Sequence, residues 1–404
     1  MLSKVTKALR TDPAGFPRRA ASAMAERGRL DAFRLLGMPA GSVVHYGVHR
    51  NGNAGDTALF TATRMLFDTR FGAQTWTRLP VRAPVRPADI DRINAHARAV
   101  VVGGGGLIIP DSVSNSLSGW QWNIALKDLE RLDRPLVLNA VGYNAFHGQS
   151  NFADRFGAHV VETVRKSAFV GLRNTGSIRS LSTHLPPELT SRLRHQPCPT
   201  TVLSYLLPAH EATSPPARDF KHTPGRHLSI NLAFDRVERR FNGQVEACVR
   251  DIADAAHHMV AHGWRVSVAI HDPRDRFFLP LLRRFDLTFD IIDIAHAGLR
   301  TILDYYRTTD LTIGMRGHGQ MVPFGLQRPI FTLSSHPKMD YFLEDIGQPG
   351  WGVDIREPGF RDALIAGMES VVAAPEATYA TLQTAQARLW KQMQDNLTLC
   401  ADAF

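Results

Sequence analysis

Short runs of β-branched and other apolar residues alternate along the chain with longer segments in which apolar residues recur every three or four positions. Such alternation is typical of α/β units built around parallel sheets. In the first half of the chain, the pattern predicts strands at residues 42–49, 99–102, 136–141 and 168–172. Between these strands it predicts helices at residues 57–67, 120–129 and 152–166.

The alternation resumes in the second half, after a stretch rich in proline and small polar residues. There the pattern predicts strands at residues 227–233, 265–271, 288–293, 311–314 and 330–333. It predicts helices near residues 244–262, 298–307 and 339–346. A last helix is predicted from about residue 375, and its apolar side chains form a stripe suited to packing.

Two similar α/β halves and a proline-rich stretch between them predict a two-domain protein. We expect a basic amphipathic leader, an N-terminal domain, a linker, a C-terminal domain and a final helix, at residues 1–40, 41–207, 208–226, 227–374 and 375–404. Two such domains imply a cleft, and ligands of α/β sheets bind outside the carboxyl ends of the strands. We therefore look for chemistry at predicted strand ends.

Composition narrows the class of protein. The 404 residues carry a formal charge of +9, and eight basic residues against three acidic ones fall in the first 40. No nucleic-acid-binding motif accompanies this charge, so we expect no nucleic-acid partner. Three scattered cysteines exclude a disulfide framework and a structural zinc site.

The absence of a long apolar run leads us to expect a cytoplasmic protein with no membrane-spanning helix. The leader suits either peripheral contact with the anionic inner face of the membrane or packing against the body of the protein. Homo-oligomerisation is compatible with the sequence.

The first stretch with candidate chemistry is H-R-N-G-N-A-G-D-T-A-L, residues 49–59, which follows the first predicted strand. Asn53 and Gly55 belong to a turn whose backbone can approach a ligand closely. Asp56 stands at the predicted helix start, where a carboxylate can bind free N–H groups. The alternative is a well-capped turn without a ligand.

A second stretch, V-V-V-G-G-G-G-L at residues 100–107, places four glycines after an apolar strand. Gly104 and Gly105 lie in its middle, and a loop of bare amides there can form an anion-binding nest. The run satisfies neither the dinucleotide-binding nor the P-loop pattern. The alternative is a tight packing turn.

Cationic and imidazole groups emerge at other predicted strand ends. Arg316 and His318 stand two residues apart in D-L-T-I-G-M-R-G-H-G, where an arginine fork suits phosphate or carboxylate and a histidine can move a proton. Three more residues have comparable positions, and each alone fits a structural role as well: Arg173, His271 and Lys338.

Taken together, N-A-G-D at residues 53–56, the glycine run, Arg173, M-R-G-H, L-S-x-x-P-K and F-L-E-D-I-G resemble the polysaccharide pyruvyl transferase family, in the same order over residues 43–354. The resemblance implies two Rossmann-like domains facing across a cleft, as in GT-B glycosyltransferases. It also implies transfer of the enolpyruvyl group of phosphoenolpyruvate to two hydroxyls of a sugar, forming a ketal and releasing phosphate.

The resemblance assigns roles to the candidate residues. Arg173 and Arg316 match arginines that hold the donor, and Lys338 would add a third cation. His318 matches a histidine beside the donor, and we expect it to act as acid or donor contact, with Asp56 as base or acceptor anchor. Phosphoenolpyruvate is then a substrate, no cofactor or metal is required, and the acceptor is a saccharide or lipid-linked saccharide of exopolysaccharide or envelope synthesis.

The chain departs from the family pattern at several positions. Ser335 and His336 replace the usual Tyr and Asp before Pro-Lys, and Gly317 replaces a bulkier residue. Trp120 and Trp122, on a predicted helix, could stack on a sugar or belong to the core. Two other functions therefore stay open: a GT-B glycosyltransferase that uses a nucleotide sugar, and a non-catalytic sugar-binding relative.

Overall fold

The structure is a computed structural model that describes residues 16–49, 52–111, 116–146, 148–149, 152–208 and 226–404. The described residues form two compact units. The N-terminal unit comprises residues 23–49, 59–199 and 389–404, and the C-terminal unit comprises residues 16–22, 52–58 and 200–388. Most of the predicted linker lies outside the described residues.

The N-terminal unit is built on a six-stranded parallel sheet. Its strands are β1 (Ser42–Gly47), β2 (Trp76–Pro80), β3 (Ala97–Ile108), β4 (Leu136–Tyr143), β5 (Ser167–Leu172) and β6 (Leu193–His195), in the order β2-β1-β3-β4-β5-β6. The helices that begin in the first half of the chain are α1 (Phe16–Leu36), α2 (Ala54–Phe71), α3 (Pro87–His96), α4 (Leu126–Arg131), α5 (Arg155–Lys166), α6 (Thr175–Ser182) and α7 (Pro187–Thr190). The first turn of α2, up to Ala58, is grouped with the C-terminal unit.

The C-terminal unit has a second six-stranded parallel sheet. Its strands are β7 (Arg226–Asn231), β8 (Trp264–Ile270), β9 (Asp290–Asp293), β10 (Leu311–Gly314), β11 (Ile330–Ser334) and β12 (Gly352–Asp354), in the order β12-β11-β10-β7-β8-β9. The helices are α8 (Leu203–Leu206), α9 (Val237–Phe241), α10 (Val245–Ala261), α11 (Phe278–Arg284), α12 (Leu299–Arg307), α13 (Gly317–Gly325), α14 (Pro337–Asp345), α15 (Phe360–Ala373) and α16 (Pro375–Leu399). The part of α16 from Leu389 onward is grouped with the N-terminal unit. Single 3₁₀ turns lie at Pro199–Val202, Pro273–Phe277 and Ala401–Ala403.

Strands β1, β10 and β11 are buried along their whole length, which explains their largely apolar sequences. Each unit has its own apolar core of strand and helix side chains. The two parallel-sheet α/β domains expected from the alternation are therefore confirmed.

One predicted helix is wrong in its extent. The segment 120–129 becomes helical only at Leu126, and Trp120 and Trp122 lie in an irregular segment before it. Both rings are almost completely buried in the N-terminal core, and Trp120 Nε1 donates to His159 Nδ1 at 2.9 Å. The two tryptophans are core residues, so they offer no face on which a sugar could stack.

Helix α1 contains the described part of the expected leader. Phe33 is buried, and the side chain of Arg34 forms an ion pair with buried Asp89 at 2.7 Å. Leu36, near the end of the same helix, is exposed. Within the ranges given above, no helix combines the length and apolarity needed to cross a membrane.

Candidate active site

The turn before α2 is held by Asn53 and packs against histidines of the C-terminal unit. Asn53 Oδ1 accepts hydrogen bonds from the backbone N–H groups of Gly55 (2.9 Å) and Asp56 (3.3 Å). Asn53 is therefore the residue that caps α2, and Asp56 lies in the first helical turn. The sequence had placed the capping carboxylate at Asp56.

Close packing against imidazole rings explains why glycine occupies position 55. A Cβ atom on Gly55 would lie 2.4 Å from Nδ1 of His318, so no larger residue fits without displacing that ring. The neighbouring Ala54 N–H donates to the carbonyl oxygen of His271 at 3.0 Å. The structure thus brings the N-A-G-D segment together with His318 and His271, two of the residues predicted from other strand ends.

Arg316 is ion-paired rather than a free cation. Its Nε and Nη2 donate to the carboxylate of Asp275 at 2.7 and 2.5 Å, and Nη1 lies 3.3 Å from Asp235 Oδ1. Burial by itself would lower the pKa of Arg316, but the carboxylates of Asp275, Asp235 and Asp272 outweigh this and raise it. A ligand anion at Arg316 would have to share the guanidinium with these partners.

The ion pair belongs to a larger cluster at the carboxyl ends of the central C-terminal strands. Burial would raise the pKa of Asp235, but Arg240, Arg316 and Lys338 lower it. Asp272 forms a bidentate pair with Arg274, with both distances 2.8 Å. The cluster holds four cations and three carboxylates: Arg240, Arg274, Arg316 and Lys338, with Asp235, Asp272 and Asp275.

His271 and His336 have structural partners in this region. His271 is buried against the Tyr306 hydroxyl, and burial, followed by the charge of Arg316, lowers its pKa to about 3, so its ring is neutral. His336 caps α14 by accepting from the N–H of Lys338 at 3.2 Å. Ser335 accepts from Arg240 Nη1 at 3.1 Å. Ser335 and His336, two of the departures from the family pattern, therefore make structural hydrogen bonds after the end of β11.

In the N-terminal unit, the glycine run lies inside strand β3 rather than in a loop after it. A Cβ atom on Gly103 would lie 2.0 Å from the carbonyl oxygen of Asn139 on β4, and one on Gly104 would lie 2.8 Å from Leu59 of α2. Gly104 and Gly105 have φ values of +79° and +90°, which side chains rarely tolerate. The packing alternative accounts for the run, and anion binding by its amides stays a prediction.

Arg173 is a buried cation at the carboxyl end of β5. It follows β5, is 6% exposed, and its guanidinium lies over Gly142, where a Cβ atom would be 2.5 Å from Nη2. Among the described residues, neither Nε nor Nη2 has a hydrogen-bond partner. Burial lowers the pKa of Arg173, and Cys198 opposes this only by its charge. An unpaired buried guanidinium is costly, so this geometry favours an anionic ligand.

Two side-chain amides close to Arg173 also have a nitrogen without a hydrogen-bond partner in the described parts of the chain. Asn174 Oδ1 caps α6 by accepting from Ser177 N–H at 2.7 Å, while its Nδ2 has no partner in the described parts of the chain. Gln196 follows β6, its backbone N–H donates to Leu172 O at 2.8 Å, and its Nε2 is likewise unpaired there. Buried donors without acceptors thus adjoin one edge of the N-terminal sheet.

The C-terminal helix fixes one of these amides. Asn396 Nδ2 donates to Gln196 Oε1 and to the carbonyl oxygen of His195, both at 2.7 Å. Because Oε1 of Gln196 is engaged, Nε2 is the end that stays available. The sequence had not indicated Asn174, Gln196 or Asn396, since amides at such positions carry no motif.

A family model for polysaccharide pyruvyl transferases matches residues 53–337, more than two thirds of the chain. The chain belongs to the polysaccharide pyruvyl transferase family. This membership confirms the resemblance identified from the motifs and places the chain among transferases that act on polysaccharides. Among curated proteins, none matches the sequence of this pyruvyl transferase family member at a significant level.

Solved structures share the fold of this family member at very low sequence identity. The S. aureus MnaA–UDP co-structure is 8% identical with a TM-score of 0.52, covering 89% of this chain and 98% of MnaA. The UDP-GlcNAc 2-epimerase of Neisseria meningitidis bound to UDP-GlcNAc is 10% identical with a TM-score of 0.49, over 89% and 100%. WaaG, a glycosyltransferase of lipopolysaccharide biosynthesis, is 12% identical with a TM-score of 0.45, over 87% and 98%. At such identities the likeness concerns the fold alone.

Proposed function

We propose that this chain transfers the enolpyruvyl group of phosphoenolpyruvate to two hydroxyls of a saccharide, making a pyruvate ketal and releasing phosphate. The observation that carries the proposal is Arg173, a buried guanidinium whose Nε and Nη2 lack hydrogen-bond partners among the described residues. Phosphoenolpyruvate supplies a phosphate and a carboxylate, both rich in acceptor oxygens. Arginine forks bind such groups with charge-assisted hydrogen bonds.

In this proposal the unpaired donors of the N-terminal unit hold the donor substrate. Arg173 takes one anionic group, and the free amide ends of Asn174 and Gln196 add neutral donors beside it. Amide N–H groups can donate hydrogen bonds to the oxygens of a phosphate or carboxylate without adding further charge.

Proton transfer is assigned to His318 and Asp56. A proton adds to the methylene carbon, and one sugar hydroxyl attacks the resulting oxocarbenium centre while losing its proton. Phosphate then leaves with the C–O bond electrons, and the second hydroxyl attacks the same carbon. One hydroxyl proton balances the new methyl group and the other leaves with the phosphate. His318 serves as the acid and Asp56 as the base or acceptor anchor, and no metal is required.

Arg316 and Lys338 act in this proposal as a source of positive charge that is held in place. The bidentate ion pair with Asp275 fixes the Arg316 guanidinium, and Arg316 immediately precedes the helix that carries His318. Fixed charges stabilise developing charge without reorganising during the reaction. Arg316 thus positions its helix and shares its charge with the donor.

The first experiment measures the melting temperature in phosphate-free buffer with phosphoenolpyruvate or UDP. We expect phosphoenolpyruvate to raise it and UDP to leave it unchanged, because a ligand that binds only the native state stabilises it. The opposite result would favour the nucleotide-sugar alternative. Phosphate release with a panel of oligosaccharides then tests turnover.

The second experiment replaces the proposed acid. We expect His318→Asn to lower kcat by at least about 100-fold, within the usual range for a general acid, with little change in the KM for phosphoenolpyruvate. His262→Asn, at an exposed position, is the matched control and should retain full activity. Unchanged turnover in His318→Asn would remove His318 from the mechanism.

A further inference from the structure

A cavity of about 470 Å³ lies at the β1–β2 edge of the N-terminal sheet. Gly47 and Val48 line it where β1 ends, and residues 80–83 line it where β2 ends. Helix α1 supplies the opposite wall through Ala23 and Leu30, with Glu26 and Arg27 beside them. Its volume falls within the range of about 300–1,000 Å³ that is usual for small-molecule sites. Carboxyl ends of parallel strands are where such ligands bind.

The wall formed by α1 is anchored at its C-terminal end. Arg34 Nη2 donates to Asp89 at 2.7 Å and to the carbonyl oxygen of Pro84 at 2.9 Å, and Phe33 is buried in the core. Arg29 Nη2 donates to the carbonyl oxygen of His49 at 3.2 Å. These contacts hold the helix over the strand ends, so the cavity belongs to the folded unit rather than to a loose surface groove.

The cavity is separate from the donor-binding group of the same unit. Arg173 follows β5, and the order β2-β1-β3-β4-β5 places three strand spacings between β1 and β5 and four between β2 and β5. At about 4.8 Å per spacing, the cavity and Arg173 are roughly 14–19 Å apart along the sheet edge. This separation exceeds one sugar ring, so a sugar that reacts beside Arg173 does not itself fill the cavity.

The chemistry of the walls suits a chain of sugars. A carboxylate (Glu26) and two guanidinium groups (Arg27 and Arg82) line the cavity, and Val48 and Leu30 offer aliphatic surface for the C–H faces of a ring. Arg82 Nε donates to Gln121 Oε1 at 3.2 Å, and Arg27 Nε lies 3.7 Å from Asp31 Oδ2, so both arginines would share their charge with a ligand. Facing charges of both signs disfavour a lipid tail, and the carboxylate disfavours a phosphate. We infer that this cavity binds the part of the acceptor saccharide that is remote from the pyruvylated sugar, an inference that rests on the proposed function.

The test fills the cavity and measures how affinity depends on acceptor length. Ala23→Trp places an indole on the cavity-facing side of α1, and Ala25→Trp places the same group on an exposed position of the same helix that does not line the cavity. On a glycan array that carries mono- to hexasaccharides, we expect the unchanged protein and Ala25→Trp to retain oligosaccharides. Ala23→Trp should bind the same glycans at least about tenfold more weakly, a loss of about 1.4 kcal/mol.

Turnover gives the second readout. In Ala23→Trp the KM for the longest acceptor should rise toward that of the shortest one, while kcat and the thermal shift caused by phosphoenolpyruvate stay unchanged. Equal effects on acceptors of every length, no effect on any of them, or no glycan retained by the unchanged protein would overturn the inference. The proposed function fails on a different result, namely the absence of a phosphoenolpyruvate-induced thermal shift.

Discussion

Replacing Arg173 by methionine is expected to make the ligand-free protein more stable and to abolish donor binding. Methionine keeps the length of the side chain and its packing over Gly142, but it removes the charge. Arg173 is 6% exposed, and its Nε and Nη2 lack hydrogen-bond partners in the described parts of the chain. Burial also lowers its pKa, as expected for a cation that gains little from its surroundings.

The size of the effect follows from the cost of burying polar and charged groups. Burying a polar group without a partner costs about 1–3 kcal/mol in mutational data, and a charge costs more. We therefore expect the free energy of unfolding to rise by about 1–3 kcal/mol in Arg173→Met. For a domain of this size, each kcal/mol corresponds to about 2–4 °C in melting temperature.

Arg34 provides a control, because it is a partly buried arginine of the same unit and it is paired with a buried carboxylate. Its guanidinium contacts Asp89 at 2.7 Å, and the side chains are 14% and 3% exposed. Arg34→Met leaves this carboxylate buried without its cation, which should cost about 3–5 kcal/mol. The two substitutions are chemically identical, but their effects on stability should have opposite signs.

The assay is differential scanning calorimetry of both variants with and without phosphoenolpyruvate. We expect a raised melting temperature and no ligand shift for Arg173→Met, and a lowered melting temperature with the ligand shift retained for Arg34→Met. If Arg173→Met destabilised the protein as Arg34→Met does, Arg173 would be a structural cation. If the ligand shift persisted in Arg173→Met, the anion would bind elsewhere.

Three further outcomes are expected. Gly142→Ala should weaken phosphoenolpyruvate binding at least about tenfold, equivalent to about 1.4 kcal/mol, as measured by titration calorimetry. The reason is that the new Cβ atom would displace the guanidinium of Arg173. Unchanged affinity would contradict this position for the ligand. Asp275→Asn should lower the free energy of unfolding by about 3–5 kcal/mol in urea titrations, since it places an amide N–H group against the Arg316 guanidinium. A change below about 1 kcal/mol would refute the buried ion pair between Asp275 and Arg316. Burial lowers the pKa of His159 to about 4, below its unfolded value near 6.5, so the free energy of unfolding should fall as the pH drops from 6.5 towards 4. His159→Gln should reduce the slope of the unfolding free energy against pH by about 1.4 kcal/mol per pH unit. An unchanged slope would mean that the buried ring is already protonated.

The sequence predicted the fold well where burial dominates. The strand at Leu311–Gly314 has the predicted bounds because it is buried on both faces. Two edge strands, β2 (Trp76–Pro80) and β12 (Gly352–Asp354), were missed, since they are half-exposed and short and lack an unbroken apolar run. The glycine run is predicted as a loop but lies in a strand. Its glycines allow the backbone of Asn139 on β4 to approach closely, and this contact is distant in sequence.

The sequence predicted which arginines lie at strand ends, but it did not predict which of them have carboxylate partners. Arg316 and Arg173 share the same sequence signal, an arginine after an apolar strand. In the structure, Arg316 is bound to Asp275, 41 residues earlier, whereas Arg173 has no carboxylate partner among the described residues. Whether a cation is paired depends on contacts between separate strand ends, which no local spacing encodes.

The bond between Asn396 and Gln196 links the last helix to the proposed donor site. Residues near a C-terminus are usually the first to be trimmed or fused to a tag, since they are assumed to be dispensable. Here Asn396 determines which end of the Gln196 amide stays free, so shortening α16 could invert the hydrogen-bonding character of a position 200 residues away. Activity lost when α16 is shortened should therefore first be examined at Gln196.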